Sequence, residues 1–401
     1  MKTSPGLLVL ALIILGGCGA YSGIRSHAGG IPVYDQVPSA PSPEAKLAAV
    51  RRGVTFLIEQ QNSDGSWGGP ANPDFSPKVT LAYGSTASFD SWRDATTALC
   101  LRALIPHLTE RAEVATTIDR AASYLFQQPV ALRATPRLYY SVWSQAYVVE
   151  AACTTLATPT LSSHHAAARM AGQAQIDELV RIQGGEGGFG YIDAQENAQP
   201  SGLGSSSFVT ATVIFALEQA TLQGFTVPPT LLQEARRSLQ RQRAPSGNYV
   251  YAHGHITHPR GAINQTPGSI GRNPLCNLAL YGDDPARIPI LFKNLEEFFH
   301  FHHFLEMALG RPGGDNPTRP GDFTFHESWH AVAAYFFYYG HRYAAEAARQ
   351  LPLIDRQRFL DGQANILCRL QNPDGSWWDF PTIYRYHPYY GTAFALMALQ
   401  P

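Results

Sequence analysis

Residues 61–67 read QNSDGSW, and residues 371–377 read QNPDGSW. A surface turn uses the Asp-Gly, but it has no need of a Gln four residues before the Gly or a Trp two after it. Two such copies near opposite ends of a 401-residue chain therefore mark a repeated unit. Around each copy the pattern is the same: the end of one helix, a Gly turn, then a helix rich in small residues. Thr55 to Gln61 leads through Asp64-Gly65-Ser66-Trp67 to a helix over 94–104. Ile176 to Gln183 leads through Gly187-Gly188-Phe189-Gly190-Tyr191 to a helix over 208–220, and Asn365 to Gln371 leads through Asp374-Gly375-Ser376-Trp377 to one over 390–399.

Weaker copies fill the gaps. Ala121 to Gln128 precedes a helix over 142–156, and Leu232 to Gln242 precedes a Ser246-Gly247-Asn248-Tyr249 turn and a helix around Cys276. Leu295 to Leu309 precedes Gly313-Gly314 and HESWHAVAAYFFYY, 326–339, read here as the fifth such helix. The markers Gln61, Gln128, Gln183, Gln242, Leu309 and Gln371 recur about every 60 residues, giving six helical pairs. The second helix of each pair, as in ATVIFAL and GTAFALMAL, is apolar almost all round and must be covered on both sides. Six of them in a ring, surrounded by six amphipathic partners, cover one another. An open stack would need polar end units, whereas here the first and last units match best. The expected fold is all-α, a closed (α/α)6 toroid over residues 45–401.

Gln-x3-Gly-x-Trp resembles the QW motif of the squalene and oxidosqualene cyclases, and the units resemble prenyltransferase and squalene-oxidase repeats. The resemblance covers roughly residues 45–401, with strict motifs at Gln61/Gly65/Trp67 and Gln371/Gly375/Trp377. It implies the α/α toroid fold, and a Gln that ends one helix, caps its neighbour and stacks on the Trp. It does not transfer an active site. The D-x-D-D acid motif of the cyclases is absent, and the prenyltransferase zinc pattern, an Asp followed two residues later by Cys, finds only Asp94 with Thr96.

The first residues read as a processing signal. Lys2, an apolar run from Leu7 to Leu15 too short to span a bilayer, and Leu15-Gly16-Gly17-Cys18 resemble a bacterial lipoprotein signal, with an ordinary secretory signal as the alternative. That resemblance implies a signal peptide over 1–17, lipidation of Cys18, a tether over 18–44, and an outer-membrane protein facing the periplasm. Charged residues are 15% and the net charge is −1, so no basic field exists for nucleic acid. Cys100, Cys153, Cys276 and Cys368 lie in apolar helical stretches without metal-ligand spacing and read as buried thiols.

A toroid points to a central cavity as the ligand site. Aligning the inner helices places Thr97, Gln145, Thr210, Asn273, His330 and Thr392 at one level. Arg93, Ser141, Ser206, Ser269, His326 and Pro388 lie a turn earlier, a polar lining unlike that of a polyene cyclase. On a helix, His326 and His330 would share a face beside Glu327, matching H-E-x-x-H. Three readings stay open: two cavity-facing histidines bonded to neighbours, a metal (zinc) or acid–base site, and a zinc protease whose third ligand is missing at standard spacing. His300, His302 and His303 read as an amphipathic outer face; His253, His255 and His258 fall in a long 245–272 loop. Tyr390 with His387 and Tyr389 starts the last inner helix. Trp67, Trp92, Trp329, Trp377 and Trp378 are candidates for stacking sugar rings. As an enzyme the chain would use His326, Glu327 and His330, with Asp94 opposite and Tyr390 as auxiliary donor. As a binder it would hold an isoprenoid, glycan or peptide, and as an interaction protein it would present its outer face.

Overall fold

The computed structural model describes residues 32–69, 86–131, 140–190, 204–309, 326–327, 330–379 and 386–400, with only the backbone at 86, 326 and 327. Cys18, the signal stretch and Trp329 lie outside these residues. The chain alternates between an outer and an inner wall: α1 (Pro43–Glu59), α2 (Thr86–Leu104), α3 (Ala112–Gln127), α4 (Val142–Leu156), α5 (His165–Ile182), α6 (Ser207–Leu222), α7 (Pro229–Arg241), α8 (Asn273–Tyr281), then α9 (Arg287–His300) continued by α10 (His302–Ala308), α11 (Phe336–Arg349), α12 (Leu353–Leu370) and α13 (His387–Leu399). The inner helices α2, α4, α6, α8, α11 and α13 each pack on the next, and α13 packs back on α2. The expected (α/α)6 toroid is the fold.

Sequence explains the two walls. Along α6 every residue from Ser207 to Ile214 is buried, as befits a helix covered on all sides. Outer α7 buries only Leu231, Ala235, Ser238 and Leu239, a stripe at i, i+4, i+7 and i+8. Ser42 caps α1 by accepting the Ala45 N–H at 3.2 Å, with Pro43 at the first helical position and Glu44 in the first turn.

The repeated heptapeptide is a clamp joining three helices. Gln61 Nε2 donates to Gly65 O of its own turn and to Thr117 O on the next outer helix, both at 2.9 Å. Gln183 repeats this with Gly187 O and Leu231 O, and Gln371 with Gly375 O and Ala49 O. The Ala49 bond joins the last turn to α1 and closes the ring. Trp67 and Trp377 are fully buried, their indoles donating at 2.8 Å to Leu57 O and Leu367 O. They are wall posts, which removes them as sugar-stacking candidates.

Two expectations are corrected. The tether read over 18–44 is, in its described part, docked: Tyr34 OH donates to Glu306 Oε1 at 2.8 Å, and Asn365 Nδ2 donates to Ser39 O at 2.9 Å. The stretch 326–339 is not one helix. His326–Glu327 (β1) pairs antiparallel with Val332–Ala333 (β2), and Ala331 between them has φ +50°. The fifth inner helix begins at Phe336, about ten residues later, and packs closely through Gly340, where a Cβ would lie 3.0 Å from Gly271 Cα.

Gly375 has φ +87°, and a Cβ there would lie 2.7 Å from Arg52 O. Gly375→Val is expected to lower unfolding free energy by about 1–3 kcal/mol. Urea denaturation checks this; a change under about 0.5 kcal/mol, the range of ordinary surface substitutions, would mean the turn is not a strained clamp.

Candidate ligand site

The side chains that meet inside the ring are set by the clamp. Thr97 Oγ1 accepts the Trp67 N–H at 3.1 Å, Thr210 accepts from Phe189 N at 2.9 Å, and Thr392 accepts from Trp377 N at 2.9 Å. In the fourth unit Asn273 Oδ1 takes the same role for Tyr249 N at 3.2 Å. These residues, expected to line the cavity, therefore face the outer wall. Residues two positions to either side lie on the opposite helical face, and in three of the units these include aromatics: Trp143 and Tyr147 flank Gln145, Phe208 precedes Thr210, and Tyr390 and Phe394 flank Thr392, whereas Thr97 and Asn273 have Ala95, Leu99, Gly271 and Leu275 there. The polar lining is thus corrected to an aromatic one. The level was right and the face was wrong.

The aromatic rings form one cluster across the ring axis. Trp143 stacks on Tyr147 and Phe208 at 5.8 and 6.0 Å between centroids, Tyr147 meets Phe394 at 6.0 Å, and Phe208 meets Tyr339 at 6.2 Å. Trp143, Tyr251, Tyr335 and Tyr390 are half-buried members of this cluster. Polar groups sit among them. Tyr251 and Tyr335 share a hydrogen bond between hydroxyls at 2.7 Å, and Tyr390 OH donates to buried Asp379 at 3.2 Å. Beneath, Glu150 of α4 accepts from Arg102 and from Arg342 of α11, and Arg342 and Glu150 are fully buried. Burial lowers the Arg342 pKa, but Glu150 and the surrounding tyrosines outweigh it and keep the guanidinium charged. This ion pair reaches across the ring and gives the basin a floor.

Asp94 occupies a different place. Three residues before Thr97, it leans toward the outer wall and accepts from Tyr124 OH of α3 at 3.3 Å. It lies in a cleft of about 540 Å³ together with Asp64, Asp90, Arg93, Ser123 and Gln127. Burial pushes its pKa up to about 7, against the Tyr124 hydrogen bond, and Asp90 is raised by burial too. His330 lies in the hairpin turn, edge-on to Phe304 at 4.6 Å, with burial lowering its pKa. The shared helical face needed for metal or acid–base pairing of His326 and His330 does not exist, and the side chains of His326 and Glu327 lie outside the described residues. Among the described residues no three His, Cys, Asp or Glu side chains are placed to hold a metal ion. Among the described residues Asp94 bonds Tyr124 and Tyr390 bonds Asp379, and neither is bonded to His330.

Other expectations divide. Trp92 packs between Tyr140 and Tyr386 at the mouth, and Trp378 lies against His387. The 245–272 loop is pinned, since buried Arg272 donates to Tyr249 O, Ile263 O and Gly268 O. FFHFHHF is not an amphipathic surface: the helix breaks at Phe301 and His302 is fully buried. Cys100, Cys153 and Cys276 are buried free thiols, and Cys368 is half-buried. Tyr251 belongs to the 245–272 stretch read as a possible binding loop, whereas Asp379, Trp143 and Tyr335 were missed. The Trp-Trp-Asp run directly after the last clamp was the available signal for Asp379.

No protein-family model and no curated protein sequence matches the chain. Among solved structures it is similar to a D-mannose isomerase, with 13% identity over 90% of this chain and 99% of that one and a TM-score of 0.53. It is also similar to an α-1,6-mannanase from Salegentibacter (10% identity, 88% and 98% covered, TM-score 0.49) and to a type II terpene cyclase from Scytonema bound to geranylgeranyl dihydroxybenzoate (14% identity, 89% and 96% covered, TM-score 0.46). At these identities the likeness is one of fold alone, that of the α/α toroid.

The raised Asp94 pKa fixes a pH dependence. Folded Asp94 keeps its proton to about 7, while the unfolded carboxyl loses it near 3.8. The folded state thus binds more protons in that window, and stability falls as pH rises across it. Asp94→Asn is expected to remove that decline in denaturation midpoints measured from about pH 4 to about pH 8. An unchanged slope would mean Asp94 ionises normally.

Proposed function

We propose that the chain is a carbohydrate-binding toroid whose ligand lies on the aromatic basin at the inner-helix mouth. The observation that carries this reading is the combination of half-buried aromatic rings with paired hydroxyls and a carboxylate in one cluster. Flat apolar faces take the C–H face of a sugar ring, while Tyr390–Asp379 and Tyr251–Tyr335 offer donors and acceptors to its hydroxyls. An isoprenoid is the second reading, favoured by the aromatic content of the basin. It fits less well as a cyclisation substrate, because the carboxyl best able to hold a proton, Asp94, faces the wall cleft instead of the axis. A lipid at Cys18 would hold the toroid on the bacterial envelope, facing the periplasm; this part rests on the lipobox-like sequence, and loss of detergent partitioning in Cys18→Ala tests it.

Calorimetric titration with neutral oligosaccharides (mannotriose, maltotriose, cellotriose, chitotriose) and with geranylgeraniol in detergent separates the readings. At least one sugar is expected to bind, and Trp143→Ala is expected to weaken it about tenfold, the loss of one stacked ring worth about 1–1.5 kcal/mol. Binding of geranylgeraniol with no response to any sugar would overturn the proposal in favour of the isoprenoid.

A further inference from the structure

A second buried network, away from the basin, joins the N-terminal arm to two histidines. Tyr34 donates to Glu306 Oε1 at 2.8 Å, and Arg369 reaches both Tyr34 OH and Glu306 at 2.7 Å. Glu306 Oε1 lies 3.1 Å from His302 Nδ1, close but poorly aligned for a hydrogen bond, and the Tyr34 ring stands edge-on to the His302 ring at 5.5 Å. On its other side His302 Nε2 faces His341 Nε2 of α11 at 2.9 Å. Both histidines are fully buried, walled by Phe298 and Phe337. The Gln363 amide, oriented to donate to His341 O at 2.8 Å, lies 3.4 Å from His341 Nδ1.

Two imidazole nitrogens 2.9 Å apart can share one proton but cannot hold two. One consistent set of protons exists with both rings neutral: Gln363 N–H toward His341 Nδ1, His341 Nε2–H to His302 Nε2, and His302 Nδ1–H toward Glu306. A second proton between the two Nε2 atoms would set N–H against N–H, and one on His341 Nδ1 would set it against the Gln363 N–H. The charged groups facing the pair are Glu306 on α10, which favours a charged His302, and Arg369 on α12, which disfavours charge on both rings and bonds Glu306; Tyr34 of the arm and Gln363 of α12 are neutral.

We propose that the His302–His341 pair is an acid-sensitive latch that holds the N-terminal arm on the ring. Protonation separates α10 from α11 at this contact, the charged His302 draws Glu306 Oε1 to itself, and Tyr34 loses its acceptor. Burial lowers both histidine pKa values below the ordinary 6.5, that of His341 further through the neighbouring His302. The folded state thus binds fewer protons than the unfolded one as pH drops below 6.5. The stability this site contributes is complete above that value and is lost as pH falls toward the folded pKa values.

Hydrogen–deuterium exchange of the full chain in detergent, corrected for intrinsic rates and compared at about pH 7.5 and about pH 5, tests the latch. Protection of residues 32–42 is expected to fall about tenfold or more at the lower pH while the inner helices stay protected. Gln can both donate and accept, so His341→Gln is expected to keep the arm protected at both pH values. Tyr34→Phe, which leaves the ring packing in place, is expected to expose the arm at both. Equal arm protection of the unaltered chain at the two pH values would overturn the proposal. So would an acid-induced loss that persists in His341→Gln, or an arm unaffected by Tyr34→Phe.

Discussion

Everything in this ring is registered by one side-chain amide. The clamp glutamine donates two hydrogen bonds, one to its own turn and one to a carbonyl on the next outer helix. A single group thereby fixes both the end of one helix and the azimuth of its neighbour. The tryptophan or phenylalanine that follows ties the same turn to the inner helix through a threonine hydroxyl. Each such bond adds on the order of 1 kcal/mol, but leaving a buried partner unsatisfied costs more. The geometry is therefore specified more strongly than it is stabilised.

Once that threonine must face the wall, the opposite helical face must fill the axis. Six inner helices pointing small residues inward would leave a channel; here four of them point Trp, Tyr and Phe inward, and the rings meet. Their contacts fill part of the axis and leave some of the rings half-buried. Binding surface and core are thus the same cluster seen from two sides. That is why the basin can present aromatic faces without exposing a loose apolar patch.

The fold was legible because its decisive signal was local and repeated. Gln, Gly and Trp at fixed spacing say which helix ends and which neighbour it meets, and the matching first and last copies say that the ring closes. The site was less legible because spacing gives the level of a residue along a helix but not its face. Thr97, Thr210 and Thr392 were aligned correctly and assigned to the wrong side. His326, Glu327 and His330 failed for another reason. Their letters fit a helical motif, yet the fifth unit carries no clamp, and its helix begins further along and packs through the close approach of Gly340 to Gly271. No local pattern announces a contact between two glycines some 70 residues apart.

The units without the full clamp hold their place by other means. The fourth unit's Gln242 donates to the hydroxyls of Ser205 and Ser238 instead of to the two carbonyls. The second unit's Gln128 bonds only Tyr124 O of its own helix, at 3.3 Å, and the fifth has Leu309 where a glutamine would stand. These two units face each other across the ring, and from them come Glu150 and Arg342. A buried ion pair gains little net stability, because desolvation offsets most of its attraction. Its value here is directional, since removing Glu150 would leave the fully buried Arg342 guanidinium without its carboxylate, a charge that no rotation of the helix can satisfy. The pair thus supplies across the axis the registration that the clamp supplies along the wall. The fifth unit, held by polar groups in place of the clamp, is also where His302 and His341 meet.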